Sequence, residues 1–146
     1  MHRVIDGDTI ELTDGRLVRY IGIDAPEVRR REDHRWVLRP EPFGLEAQEA
    51  NKRLVQGKRV RLEYDVETRD RYGRILAYVY VDGQMVNERL VEDGDARVLT
   101  IPPDVKYADR FRRLAEDARR AHRGVWAQTS SPRRVGAQSD RDSRGR

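Results

Sequence analysis

Asp-Gly pairs recur along the first two-thirds of this chain, and each one cuts short whatever element precedes it. Asp6-Gly7 lies within "VIDGDTIEL", Asp14-Gly15 between two β-branched runs, Asp82-Gly83 after "LAYVYV" and Asp93-Gly94 after a helical pattern. Glycine tolerates the positive φ that tight turns need, so the pattern restricts the fold to short strands joined by tight turns. Residues 4–24 alternate apolar and polar side chains around Asp14-Gly15, as a half-buried hairpin does, so a strand pair opens the domain. "RVRLEYDV" and "RILAYVYV" read as two further strands by alternation and by β-branched and aromatic content. "GLEAQEANKRLVQG" is rich in helix formers and closes on Gly57, and "VNERLVEDG" is a short helix ending at Gly94. After "ARVLTI" and the Pro102-Pro103 breaker, a longer amphipathic helix is expected from about Tyr107 to His122. Its stripe of Tyr107, Phe111, Leu114 and Ala118 is core packing. Short strands with helices interposed imply an α+β chain, mainly β: a small antiparallel barrel of the five-stranded OB type capped by helices.

At 146 residues the chain is long enough for one domain and its core. No apolar run approaches a membrane span, and the N-terminus lacks the basic-then-apolar layout of a signal peptide. The expectation is therefore a cytoplasmic protein as written, or a secreted one if the given N-terminus is incomplete, with no membrane association. The absence of cysteine removes disulfides, thiolate metal sites and cysteine nucleophiles. His2, His34 and His122 have no metal-ligand spacing and are expected to be solvated, so any metal must be held by oxygen.

Charge distribution matters more than the net +4. Residues 127–146 carry five arginines against two aspartates and read as a basic disordered tail, whereas the domain, 1–126, has 25 basic and 24 acidic residues. One local exception is "RRREDHRWVLR", residues 29–39, with five arginines and two acids. It reads as a basic loop, consistent with either a solvated surface or one that tracks a polynucleotide backbone.

Asp6 and Asp8 would share one face if the backbone between them were extended, and two carboxylates on one face repel unless a cation sits between them. "RYIGIDAPE" adds Asp24, Glu27 and Arg19, the last a planar cation suited to gripping phosphate. Arg19 and Asp24 lie five residues apart, which in a regular strand sends them to opposite faces. They serve one site only if the strand bends, and Gly22 is the candidate for that bulge or kink. "TRDRYGRILAY" contributes Arg74 after Tyr72-Gly73, with Arg69 and Arg71 close by. An aromatic among arginines can stack on a base or flank a phosphate.

Taken together, "VIDGDT", "VRYIGIDAPE", "FGLEAQEANKRLV", "DRYGRILAYVYVDGQMVNERLVEDGDARV" and "KYADRFRRLAEDARRAHRGVW" resemble, in order and spacing, the staphylococcal-nuclease-like family, the thermonucleases. The resemblance spans Val4 to Trp126. It implies an OB barrel with three helices and a calcium-dependent phosphodiesterase acting on DNA and RNA to leave 3′-phosphorylated products. By match, Asp8, Asp24 and the Thr9 carbonyl would ligate the metal, with Asp6 behind them. Arg19 and Arg74 would bind the scissile phosphate, and Glu27 would orient or deprotonate the attacking water. Tyr72 would line the nucleotide pocket, with Arg71 beside it. Two nearby arginines are expected to depress the Glu27 pKa.

Magnesium suits the same residue types as calcium. The implied partners are single-stranded DNA and RNA, with duplex DNA a further candidate, and the expected state is a monomer. Thr100 stands where relatives often carry a second pocket tyrosine, Ala25 where some have a hydroxyl residue, and the first strand begins late. The rival reading is a non-catalytic OB module that binds nucleic acid or protein. A purely structural calcium site would not require the arginines.

Overall fold

The computed structural model describes residues 1–130. Its strands are β1 (Arg3–Asp6), β2 (Thr9–Glu11), β3 (Leu17–Tyr20), β4 (Ile23–Asp24), β5 (Arg29–Glu32), β6 (Arg35–Leu38), β7 (Arg61–Glu63), β8 (Ile75–Val81), β9 (Gln84–Met85) and β10 (Arg97–Val98). The helices are α1 (Gly44–Val55), α2 (Val86–Glu92) and α3 (Ala108–Arg120), followed by a 3-10 turn, Gly124–Ser130. That turn runs past Trp126, where the tail was expected to begin, and the rest of the expected tail lies outside the described residues.

The main sheet has the order β1-β2-β3-β8-β7, with β9 added to β8. It is a curled half-barrel of OB type with three helices. The Met1 amino group donates to the Lys58 carbonyl at 2.7 Å, which ties the chain before β1 to the approach to β7. All pairings in it are antiparallel except β3 with β8. That parallel pair departs from the all-antiparallel expectation. Everything from β4 to β7 lies between the two strands in sequence, and such a long crossover can return the chain in the same direction, which a hairpin cannot. The opening strands are likewise three, β1 to β3, because the chain reverses at Gly7-Asp8 as well as at Asp14-Gly15.

The expected basic loop is instead a two-stranded ribbon, β5 paired antiparallel with β6 and separate from the main sheet. Asp33 and His34 at its tip both have positive φ, 49° and 65°, the backbone pair that a two-residue hairpin turn demands.

The core lies between the concave side of the sheet and the helices, with Ile10, Val18, Tyr20, Val79, Leu90 and Phe111 fully buried. Phe111 and Ala118 of the α3 stripe are buried, and Tyr107 and Leu114 pack at its margin. Two buried asparagines fasten this core to loop backbone. Asn51 of α1 accepts from the Tyr20 hydroxyl at 2.8 Å and donates to the Asp6 carbonyl at 3.0 Å. Asn87 of α2 accepts from the Val79 amide at 2.9 Å and donates to the Ile21 carbonyl at 2.9 Å. Each therefore holds one of the turns that carry the candidate site. Among the described residues no helix is long and apolar enough to cross a membrane.

Candidate functional site

Asp6-Gly7-Asp8 is both a turn and a carboxylate cluster. Gly7 is required for space: a Cβ there would meet the Cβ atoms of Ala25 and Ala47 at 2.6 and 2.8 Å. The Asp8 amide donates to Asp6 Oδ1 at 3.2 Å, closing the turn. The backbone between the two aspartates is a turn and not extended, and this turn, with a register shift between Val4 and Asp6, brings them together. Asp8 is only 4% exposed. Its Oδ1 accepts from the Thr9 hydroxyl at 2.9 Å and its Oδ2 from the Ala25 amide at 2.8 Å. Burial, together with the neighbouring Asp8 charge, pushes the Asp6 carboxyl up to about 8.

The parity problem between Arg19 and Asp24 is resolved by a break in the strand. β3 ends at Tyr20, a turn at Ile21-Gly22 follows, and β4 starts at Ile23. Gly22 takes a φ of 84°, and a Cβ there would press into the Phe111 ring at 2.6 Å. Arg19 is bound across this break, its Nη1 donating to the Tyr20 and Ile23 carbonyls at 2.9 Å each. Its Nη2 is then 3.3 Å from Asp24 Oδ1 and 3.5 Å from Asp8 Oδ2. One guanidinium thus stands between two carboxylates from different turns. Thr9 and Arg19 are paired across β2 and β3, which places both on the same face of the sheet.

Asp24 is held above the ordinary carboxylate range by partial burial and by Asp8, against the pull of Arg19. Glu27 is raised as well, by partial burial first, then by Glu41, Asp8 and Asp24, with Arg19 opposing. This reverses the expected depression: burial and three carboxylate charges outweigh the pull of Arg19. The Glu27 amide donates to Glu41 Oε1 at 2.7 Å and its carbonyl accepts from the Glu41 amide at 2.8 Å, so Glu41 fixes the segment that carries it.

Arg74 and Tyr72 come from the loop before β8. Asp70 organises that loop, accepting from the Tyr72 and Arg74 amides at 3.0 and 2.9 Å and from Arg74 Nε at 2.8 Å. Arg71 donates to the Tyr72 hydroxyl at 2.8 Å, and the Arg71 and Arg74 guanidinium carbons lie 4.9 and 5.5 Å from the Tyr72 ring centre. Arg19, Arg71, Tyr72 and Arg74 all line one groove of about 600 Å³. Its apolar wall is made by Leu99 and Ile101, and Thr100 is not among its lining residues.

Of the expected residues, Arg19 therefore contacts both Asp8 and Asp24, with Asp6 and Thr9 bonded to Asp8 behind them. Glu27 acts on them through space, and Arg74, Tyr72 and Arg71 share the groove with Arg19 alone among them. The donor set consists of hard carboxylate oxygens, and burial together with the shared Asp8 charge raises the pKa of Asp6, Asp24 and Glu27; it suits a hard divalent cation such as calcium or magnesium. Among the described residues no three His, Asp or Glu side chains gather in ion-holding geometry. An ion on this face would accordingly draw on two carboxylates, backbone carbonyl and water.

Sequence reasoning missed Glu41, Asp70 and Arg97, the last paired with Asp24 across β10 and β4. Asp70, four residues before Arg74, was visible as a helper at close range. Glu41 and Arg97 approach from distant segments and left no local signal.

The staphylococcal nuclease homologue family matches residues 17–128. Among curated proteins, the SPbeta prophage-derived endonuclease YokF of Bacillus subtilis strain 168 is 39% identical over 132 residues, covering 87% of this chain and 43% of the relative. A thermonuclease of Staphylococcus hyicus is also 39% identical over 132 residues, with 86% of this chain and 73% of the relative covered. Endonuclease YncB of Bacillus subtilis strain 168 is 39% identical over 134 residues, with 88% and 61% covered. The chain thus spans less than half of one of these relatives and most of another. With a matched segment that runs from β3 through α3, and a half-barrel with three helices to carry it, the chain belongs to the staphylococcal nuclease homologue family.

Proposed function

We propose that this protein is a metal-dependent, sequence-tolerant nuclease that hydrolyses phosphodiester bonds of DNA and RNA; the names of its thermonuclease and endonuclease relatives support the nuclease part of this reading. The observation that carries the reading is Arg19, shared at 3.5 and 3.3 Å by Asp8 and Asp24 at one end of a groove that also holds Arg74 and Tyr72. A binding module has no need to assemble two carboxylates, one of them buried, against a phosphate-gripping cation.

Hydrolysis of a phosphodiester gathers negative charge on the phosphoryl oxygens as water attacks in line. A calcium ion held by Asp8, Asp24 and the Thr9 carbonyl would neutralise part of that charge, with Asp6 supporting Asp8. Arg19 and Arg74 supply the rest from the protein. The Arg19 plane is fixed by two carbonyls, and Arg74 Nε is engaged by Asp70 while its terminal nitrogens make no hydrogen bond among the described residues. Glu27 orients the attacking water and takes its proton. Its raised pKa makes it a better proton acceptor than an ordinary carboxylate. Departure of the 5′ oxygen leaves a 3′-phosphorylated product. Tyr72 offers a stacking face for the base and Arg71 a flanking cation. All these groups come from one chain, so a monomer suffices.

The test is cleavage of a fluorescent single-stranded DNA and a matching RNA with calcium, with magnesium and with chelator, alongside Glu27→Gln. Calcium-dependent cutting that Glu27→Gln loses supports the reading. Intact substrate under every condition, with binding retained, would return the protein to the non-catalytic binding class.

A further inference from the structure

Outside the groove, the ribbon formed by β5 and β6 carries a local positive excess. Of the 25 basic and 24 acidic residues in 1–126, residues 29–39 hold five and two, so the rest of the domain is net acidic by two. What sets the ribbon apart from other basic stretches, such as residues 52–61 with five basic residues and no acid, is that it is hydrogen-bonded to the segment that carries Glu27.

The ribbon is rigidly joined to the candidate site. Val28, next to Glu27, accepts from the Arg39 amide at 2.9 Å, and the Glu41 amide closes on the Glu27 carbonyl at 2.8 Å. Both ends of the ribbon thus leave from the segment that carries Glu27. At about 3.3 Å per residue, β5 reaches about 13 Å outward from Val28.

The register pairs Arg29 with Leu38 and Glu32 with Arg35, which places Arg29 on one face and Arg35 on the other. Arg35 is exposed and makes no ion pair among the described residues, and Arg39 is 62% exposed with only Glu32 at 3.4 Å. Leu38, paired with Arg29 on the face opposite Arg35 and Arg39, is 72% exposed, so the ribbon presents an apolar surface as well as cations. Cations attract phosphates of any strand, but exposed apolar surface gains only from bases whose faces are free, as in a single strand.

We propose that the β5–β6 ribbon is a second polynucleotide contact, binding the backbone of a single strand as it leaves the catalytic groove on the Glu27 side. This rests on the nuclease reading for where the strand comes from, yet the ribbon can be tested without any cleavage.

The measurement is anisotropy of fluorescent oligothymidylate phosphorothioates, which resist hydrolysis, at 4 and 16 nucleotides over a range of salt. The proteins are the full chain, Arg35→Gln/Arg39→Gln, and Arg35→Lys/Arg39→Lys. The glutamine pair is expected to weaken 16-nucleotide binding roughly tenfold and to flatten its salt slope by about 1.4, the contribution of two phosphate contacts on a single strand. It should leave the 4-nucleotide probe unchanged. The lysine pair, which keeps the charge, should restore the slope, which a folding defect would not allow.

Equal loss on both lengths, or none on either, overturns the proposal. Equal binding of a 16-base-pair duplex with the same ribbon dependence overturns the single-strand assignment. If the nuclease reading fails, cleavage is absent while ribbon-dependent binding persists. If only the ribbon proposal fails, cleavage stands and the glutamine pair binds as the unaltered chain does.

Discussion

Arg19 and Arg74 differ in what else they hold, and the difference separates catalysis from stability. Arg74 makes one ion pair, to Asp70, at the edge of the fold, whereas Arg19 spans a strand break and lies between two carboxylates. Arg74→Ala is expected to lower kcat by two to three orders of magnitude, comparable to losing an oxyanion donor. Its melting temperature should stay within a few degrees of the parent by calorimetry. Arg19→Ala should show a similar kcat loss and also destabilise the domain by about 1–2 kcal/mol in urea unfolding, because Asp8 loses its counter-charge in a buried setting. Near-normal turnover of either variant would remove the phosphate-gripping role. These side chains were recognisable from their motifs. The raised pKa of Glu27 was not, since it depends first on partial burial and then on Glu41 and Asp8, which approach from other segments, as well as on nearby Asp24.

At the scale of elements, the turn between β3 and β4 decides whether the site exists. Gly22 combines a φ of 84° with a Phe111 ring that fills the space a methyl group would need. Gly22→Ala should therefore cost about 2–3 kcal/mol in urea unfolding and reduce activity with it, as Asp24 swings away from Arg19. An alanine variant with parental stability would mean the turn carries no such constraint. The loop before β8 depends in the same way on Asp70, and Asp70→Ala should lower kcat/KM while leaving the stability of the sheet largely intact. The kink at Gly22 was legible as a parity conflict between Arg19 and Asp24. The ribbon at residues 29–39 was not legible as strands, because its sequence is mostly charged and its turn uses Asp33-His34 without glycine.

For the molecule as a whole, the proposed metal site and pH are the levers on stability. Metal bound to the folded state alone stabilises it by about 2.7 kcal/mol at a hundredfold excess over Kd. Calcium is thus expected to raise the melting temperature by several degrees, a shift that Asp24→Asn should abolish. Burial and the nearby Asp93 push the Asp95 carboxyl up to about 6, against Arg53 and Arg89. A carboxyl raised in the folded state favours folding below its unfolded pKa, and that stability is lost as pH rises through about 6. Asp95→Asn should accordingly stabilise the domain at pH 7, on the order of 1 kcal/mol given the solvent that reaches the group, and change nothing near pH 3.5. Urea unfolding at the two pH values checks it.

The same division separates what could be read from the chain and what could not. Alternation, Asp-Gly turns and the α3 stripe act over a few residues, so the sequence by itself determined the helices, most of the short strands and the residue types of an oxygen-donor, arginine-bearing site. Tertiary structure alone decided the parallel pairing of β3 with β8, the asparagines that tie helices to turns, and the single guanidinium shared by Asp8 and Asp24. Each of those joins segments far apart in the chain, and contacts of that kind leave no periodic trace in sequence because only the closed sheet brings their partners within reach.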